Sequence, residues 1–149
     1  MIGFEVQGLS ELQGALRRIA TMTPEDLGLV STMVAEGETM MGLSKQLAPV
    51  RDGVLRSSGT VGVPEVKGDD VELVIGYGGA SEPYAFKVHE NPRAGKTGGV
   101  SPSGRKYKRF AKVGQWKFLE IPVAQRRKAY FDAIEKAVFD RAIAAGQRR

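Results

Sequence analysis

One aperiodic segment, residues 90–114, constrains the fold of this chain more than any other feature. It runs for about 25 residues without hydrophobic periodicity and is rich in Gly, Pro, Ser, Lys and Arg. Connections of more than roughly 15 residues without structure of their own are uncommon in compact domains unless they are functional or disordered. The flanking regions must therefore supply the core, and this segment, the basic arm, is expected to have a role of its own.

The composition of the 149 residues is that of one globular domain, residues 1–149, with an uneven charge. Apolar residues make up 42% and charged residues 26%, which is ordinary for a chain that buries a core. The net charge is +5, yet residues 91–119 contain no acidic residue. Such concentrated basic charge favours a polyanionic neighbour, either nucleic acid or an acidic protein surface. The candidate contact residues are Arg93, Lys96, Arg105, Lys106, Lys108, Arg109 and Lys112. The simpler alternative is a solvated loop that its charge keeps soluble.

Targeting and membrane signals are not predicted. The N-terminus lacks a basic region followed by an apolar run, which a signal peptide would show. No apolar run approaches the roughly 18 residues that a membrane span needs. The chain has no cysteine, which excludes disulfides and thiolate chemistry and fits a reducing interior. We therefore predict a soluble protein without membrane partners.

Helical patterns dominate the N-terminal part of the chain. The sequence SELQ at residues 10–13 has the form of a capping box and predicts a short helix over residues 10–20. Thr23-Pro24 is a second start signal, for a long helix over residues 24–47. Pro49 ends that pattern. The methionines on the apolar stripe of this helix indicate core rather than an adaptable binding face.

Alternation of apolar and other residues follows the long helix and predicts strands. Two alternating runs flank KGDD, residues 67–70, so a β-hairpin is expected. Pro64 implies that the first strand is broken or lies at an edge. A third strand is predicted over residues 84–89.

A long C-terminal helix is predicted over residues 122–145, with Gly146 as its C-terminal cap. Together these elements predict an α+β fold. A small, mostly antiparallel sheet packs against the long central helix and the C-terminal helix, and a long basic loop projects from it.

Two sequence motifs for ligand binding or catalysis are incomplete in this chain. GKT at residues 95–97 ends like a phosphate-binding loop, but Glu90 stands where the early glycine belongs, and GGVSP at residues 98–102 cannot begin a helix. His89-Glu90 begins like a zinc-protease signature, but Arg93 stands at the second histidine position. We interpret His89 and Glu90 as a structural hydrogen-bonding pair. The sequence thus predicts no catalytic residue, no cofactor and no metal site.

Four segments, taken in order, resemble the motifs of one family. GLSEL (8–12) is similar to G-L-x-E-L, and APVRDGVLRSS (48–58) to A-P-V-x-[TD]-G-x-L-R-x-S. YAFKVHE (84–90) resembles Y-A-x-x-V-H-E, and VGQWKFLE (113–120) resembles V-G-Q-x-K-F-L-E. The family is that of the tail-completion or neck proteins of long-tailed bacteriophages.

The resemblance implies a structural virion protein without enzymatic activity, assembled in the host cytoplasm as a homo-oligomeric ring at the head–tail junction. The implied partners are further copies of itself, portal-side connector or head-closure proteins, tail-tube or tail-terminator proteins and, non-specifically, packaged DNA. The copy number and the choice between tail completion, tail termination and head closure stay open. The alternative is a nucleic-acid-binding protein that uses residues 91–117 for sequence-independent DNA contact.

The resemblance also implies scaffold roles for Pro49, Asp52, Gly53, Leu55, Tyr84, Glu90, Phe118 and Leu119. By position, Asp52-Gly53 would make the turn that leaves the long helix and Leu55 would start the sheet. Tyr84 and Glu90 would brace the third strand, and Phe118-Leu119 would anchor the return of the arm. The arm itself is longer and more basic than the family pattern. We expect it to be ordered only in the assembly.

Overall fold

The computed structural model describes residue 14 and residues 17–50, 52–68, 70–95 and 114–147. Within these ranges the helices are α1 (Leu29–Leu47), α2 (Val54–Ser57), α3 (Glu82–His89) and α4 (Glu120–Gln147). The strands are β1 (Gly59–Val61), β2 (Glu65–Lys67), β3 (Asp70–Glu72) and β4 (Ile75–Tyr77), and a 3-10 turn over Gly79–Ser81 precedes α3. The α+β class is confirmed, with small antiparallel sheets, a long central helix and a C-terminal helix.

Two predictions fall largely outside these ranges. The capping box at residues 10–13 is outside them, although residues 17–20 of the helix expected there are helical. Residues 96–113 of the basic arm, with the expectation about their order, are also outside them.

The central helix α1 begins later than the start signal predicts. Thr23 and Asp26 exchange hydrogen bonds, the Thr23 amide donating to Asp26 Oδ2 at 3.0 Å and the Asp26 amide donating to Thr23 Oγ1 at 3.2 Å. This pair closes a separate turn, and Gly28, with φ of 71°, breaks the helical path before Leu29. The predicted end of the helix before Pro49 is confirmed, because α1 ends at Leu47.

The predicted hairpin is confirmed, and its two halves differ in register. β1 pairs antiparallel with β4, and β2 pairs antiparallel with β3. From Val61 to Glu65 the chain advances four residues while the partner strand, from Ile75 to Glu72, advances three. The extra residue makes a bulge beside Pro64, which cannot donate to the ladder, so the break expected there is confirmed.

Close packing of the hairpin on α1 depends on one small residue. Gly37 is buried in α1, and a Cβ atom there would lie 2.9 Å from Leu73 Cδ2 and 3.3 Å from Val61 Cγ1. The absence of a side chain lets the base of the hairpin approach the helix backbone. Met33, Met40 and Met41 are buried on α1. Their assignment to the core is therefore confirmed.

The predicted strand over residues 84–89 is wrong, because this segment is the helix α3. Pro83 lies in its first turn, where a missing amide costs no helical hydrogen bond. At helical spacing Tyr84 and Val88 lie on one face and pack against the core, whereas Phe86 points away and is 74% exposed. A strand would have placed all three side chains on the same face. Tyr84 and Glu90 therefore flank a helix rather than a strand.

Two further expectations need correction. Leu55 does not start the sheet, since it lies in the helical turn α2 and is buried with Ala48, Ala85 and Phe118. Gly146 does not cap α4, because the helix continues through Gln147. Its carbonyl and that of Ala145 accept hydrogen bonds from the Arg18 guanidinium at 3.1 and 3.0 Å. A cation from another segment thus occupies the negative end of the helix.

The C-terminal helix α4 packs along α1 but buries little of itself. The Arg126 guanidinium donates to Glu36 Oε2 at 2.8 Å across the two helices. Of the residues of α4, all of which the structure describes, only Pro122 is buried. No helix in the described part of the chain has the length and apolar character needed to cross a membrane.

Candidate functional site

The two ends of the basic arm meet at a pair of glycines. Gly95 and Gly114 flank residues 96–113, and both have left-handed backbones, with φ of 76° and 108°. A Cβ atom on Gly95 would overlap the Gly114 carbonyl oxygen, and one on Gly114 would overlap the backbone of Pro49. The contact needs glycine at both positions. The described residues on the two sides of residues 96–113 thus meet at one contact, the glycine clasp.

Backbone hydrogen bonds tie the returning chain to the ends of two helices. The Gln115 amide donates to the Leu47 carbonyl at the end of α1, and the Lys117 amide donates to the His89 carbonyl at the end of α3, both at 2.8 Å. Lys117 itself has φ of 54°, a left-handed conformation that is uncommon for a residue with a side chain. These contacts hold the base of the arm against the body.

A polar cluster surrounds the clasp. The Lys117 ammonium lies 2.9 Å from a Glu90 carboxylate oxygen and 2.7 Å from Glu120 Oε2. His89 Nδ1 donates to Glu90 Oε1 at 2.8 Å, while the Glu120 amide donates to His89 Nε2 at 3.4 Å. These two bonds fit the tautomer with its proton on Nδ1. The predicted pairing of His89 with Glu90 is confirmed.

The ion pair between Glu90 and Lys117 shifts the pKa of each of these two residues. Hydrogen bonds from Lys117 and then from His89 lower the pKa of Glu90 below its usual value. Hydrogen bonds to Glu120 and then to Glu90 raise the pKa of Lys117. Each partner is therefore held in its charged form across the neutral range.

The same cluster has the composition of a cation site. Ligand atoms of His89, Glu90 and Glu120 lie within 4.8 Å of one another. The cation beside both carboxylates is the ammonium of Lys117. The cluster is therefore an ion-pair network, and the Lys117 charge, which the sequence groups with those of the arm, is balanced locally.

Phe118 lies under the cluster and joins it to the core. Its side chain is 1% exposed and meets Tyr77 and His89 edge-on, with ring centroids 5.1 and 5.0 Å apart. Leu119 packs against the same core. The neighbouring Trp116 is 40% exposed. The returning segment thus buries one aromatic ring and exposes the other.

The other residues singled out from the sequence lie on both sides of this base. Asp52 Oδ1 accepts a hydrogen bond from the Val54 amide at 3.2 Å, and Gly53, with φ of 88°, precedes α2. Arg93 is exposed, and its amide donates to Asn91 Oδ1 at 3.0 Å. The candidate contact residues outside the described ranges are Lys96, Arg105, Lys106, Lys108, Arg109 and Lys112.

The sequence reasoning missed the clasp and the roles of Lys117 and Glu120. The glycines of the basic arm, which include Gly95 and Gly114, were the signal that could have indicated the clasp. The spacing of Lys117 and Glu120, which suits an ion pair within one helical turn, was a signal for the network. No local sequence pattern predicts that Gly95 and Gly114 come into contact.

A second surface is apolar. An open groove of about 460 Å³ lies between the hairpin and α4, with α1 as its floor. Its apolar lining consists of Met40, Leu73, Ile75, Val123, Tyr130 and Phe131. Phe131 is 55% exposed and Val123 38% exposed. Farther along α4, Phe139 is 63% exposed and Ile143 42% exposed. The described chain therefore leaves large apolar side chains in contact with water.

Comparison of the chain with protein-family models, with curated proteins and with solved structures gives no match. The likeness to neck proteins rests on the four sequence segments alone. Function is therefore argued from those segments and from the surfaces described above.

Proposed function

We propose that this chain is a structural subunit of a tailed-bacteriophage virion that forms a homo-oligomeric ring at the head–tail junction and joins connector proteins to the tail. The observation that carries the proposal is the uncovered apolar surface of α4. Its 28 residues bury only Pro122, while Val123 and Phe131, which line the groove, are 38% and 55% exposed. The four motif segments in family order support the same function.

An exposed apolar groove favours association between copies. Monomeric proteins rarely expose contiguous apolar patches larger than a few hundred Å², and larger ones mark interaction sites. Covering such surface contributes about 25 cal/mol per Å² removed from water. Val123 and Phe131, which line the groove, are therefore better explained by a neighbouring subunit than by solvent.

The clasped base suits an arm that reaches a partner. Its ends are held by the glycine clasp, by backbone bonds to α1 and α3, and by the Lys117 network. In a ring, the partner of the arm would be either an adjoining protein or DNA in the lumen.

The second candidate function is sequence-independent DNA binding through the arm. Residues 91–119 contain basic residues and no acidic one, which favours this alternative. Salt separates the two functions, because phosphate contacts weaken steeply as salt rises. A ring closed by apolar faces should persist.

The test measures the mass of the purified chain by light scattering and images it by negative-stain electron microscopy, at about 0.1 M and about 0.5 M NaCl. Closed rings at both salt concentrations support the proposal. A monomer at every protein concentration, combined with DNA binding that vanishes at the higher salt, would favour the second function instead.

A genetic test addresses the junction directly. Removal of the gene from the phage that encodes the chain should leave filled heads and separate tails that do not join. Restoration of joined particles by the purified protein would support the proposal. A normal yield of infectious particles without the chain would overturn it.

A further inference from the structure

The distal half of the hairpin projects from the body. All three residues of β2 are exposed, and in β3 only Val71 is partly buried. Val63 and Val74, which adjoin these strands, are 86% and 63% exposed. An isolated two-stranded ribbon is at best marginally stable in water. The hairpin tip, defined as β2, β3, Val63 and Val74, therefore has the character of a segment that packs against another surface.

The hairpin tip and the groove complement each other in chemistry. The tip carries exposed valines, and the groove is apolar. The described residues of the tip have three carboxylates, those of Glu65, Asp70 and Glu72, against the one ammonium of Lys67. Arg127 supplies a guanidinium to the lining of the groove. The acidic, apolar tip thus complements the groove in polarity and in charge.

The tip cannot occupy the groove of its own chain. Leu73 and Ile75 of the same hairpin form one wall of that groove. The tip extends away from this wall, beyond the bulge at Pro64, so it would have to reverse on itself to enter. A second copy meets no such restriction.

We propose that the hairpin tip of one copy docks into the α1–α4 groove of the next copy, so that the two surfaces form the repeated contact of the ring. This inference rests on the proposed function. Two different surfaces of the same chain make a heterologous contact, which generates a ring when its rotation closes. The valines of the tip cover Phe131 and Val123 of the neighbour, and the carboxylates lie near its Arg127.

The first experiment uses two variants of the full chain. The tip variant carries Val63→Asp and Val74→Asp, and the groove variant carries Val123→Asp and Phe131→Asp. All four positions are exposed in a single copy, so folding should survive, and circular dichroism checks it. The matched control, Phe139→Asp with Ile143→Asp, places the same charges on exposed apolar residues of α4 outside the groove.

Light scattering then gives the masses. The wild-type chain is expected at a multiple of 16.1 kDa, and each variant alone at 16.1 kDa. An equimolar mixture of the two variants should form a dimer and no larger species. The intact tip of the groove variant enters the intact groove of the tip variant, and no second intact pair of surfaces remains. The control should assemble like the wild type.

Cysteine pairing gives a second readout with smaller substitutions. The chain has no cysteine, so copies with Val63→Cys and copies with Phe131→Cys can be mixed in a clean background. A disulfide-linked heterodimer on mild oxidation supports the contact. Copies with Phe139→Cys in place of Phe131→Cys should give little cross-linking.

The outcomes separate this inference from the function on which it rests. Wild-type rings that tolerate both aspartate variants, or that are lost only in the control, would overturn the tip-in-groove contact and leave the ring intact. If the wild-type chain is monomeric and the thiol of the Phe131→Cys variant resists alkylation, the contact is overturned too, because another segment of the same chain then covers the groove. If the wild-type chain is monomeric and that thiol is accessible, the result counts against the ring itself.

Discussion

The carbonyl oxygen of Gly114 occupies the space that a Cβ atom on Gly95 would need. This contact joins two residues that are separated in the chain by residues 96–113 of the arm. Gly114 in turn lies against the backbone of Pro49, just after the end of the central helix α1. The residues on the two sides of 96–113 therefore form one closed base, and this base can be tested without knowledge of the partner.

The first prediction concerns the glycine clasp. Gly114→Ala should lower the free energy of unfolding by more than about 3 kcal/mol, because it adds a clash with Pro49 to the strain of a left-handed backbone. Urea denaturation monitored by circular dichroism measures the change.

Two alanine variants separate the causes of that loss. Gly53 has φ of 88°, but a methyl group there would meet nothing within 4 Å, so Gly53→Ala should cost only about 1–2 kcal/mol from backbone strain. Gly42 lies within α1, also with open space, so Gly42→Ala should stabilise by about 0.5–1 kcal/mol. Equal effects at all three positions would contradict the clasp.

The second prediction is a pH dependence at the base of the arm. The folded-state pKa of Glu90 is lowered, so its ion pair stabilises the fold above the ordinary carboxyl value of 4.5 and the contribution is lost as pH falls through the folded pKa. The pKa of Lys117 is raised, so its contribution is present below 10.5 and is lost as pH rises through the folded pKa. Stability curves of the wild type and of Glu90→Gln should therefore differ at neutral pH and converge in acid.

A surface glutamate provides the control for this prediction. Glu38 is exposed on α1 and forms no ion pair with a described residue. Glu38→Gln should leave the pH profile close to that of the wild type. A gap between wild type and Glu90→Gln that stays constant down to about pH 2 would mean that packing, not charge, accounts for the effect of Glu90.

The sequence predicts the elements of this fold well where the pattern is long or the turn is distinctive. The periodicity of α1 continues over many residues and Pro49 marks its end. The KGDD turn lies between two alternating runs, so the hairpin is recognisable. The segment that became α3 is shorter, and alternating Tyr84, Phe86 and Val88 fit a strand as well as a helix. Packing of Tyr84 and Val88 against the core decides between the two.

The candidate sites are harder to predict because they depend on contacts between distant residues. Gly95 and Gly114 approach only because the chain returns across the ends of α1 and α3. Lys117 has the appearance of one more arm cation until Glu90 is brought beside it. The groove is formed by residues of α1, of the hairpin and of α4, and no local sequence pattern predicts that these three segments come together.

The third prediction concerns the two aromatic residues of the returning segment. Phe118 is 1% exposed, so Phe118→Ala should cost about 3–5 kcal/mol by leaving a cavity beside Tyr77 and His89. Trp116 is 40% exposed, so Trp116→Ala should cost clearly less in the same urea titration. A larger loss of stability from Trp116→Ala than from Phe118→Ala would show that Trp116, and not Phe118, anchors the returning segment.

The last prediction concerns the contact between α1 and α4. Arg126 and Glu36 meet at 2.8 Å with side chains that are 30% and 17% exposed, so removal of either would leave the other without its charge partner in a partly desolvated position. Arg126→Met and Glu36→Gln should each destabilise the chain, and the double variant should lose less than the sum of the two. A double-mutant cycle from urea denaturation should give a coupling of about 1 kcal/mol.

The exposed pair Lys128 and Asp132, 2.7 Å apart within α4, is the control, and its coupling should not exceed about 0.5 kcal/mol. Equal couplings for the two pairs would show that the α1–α4 contact gains nothing from its partial burial.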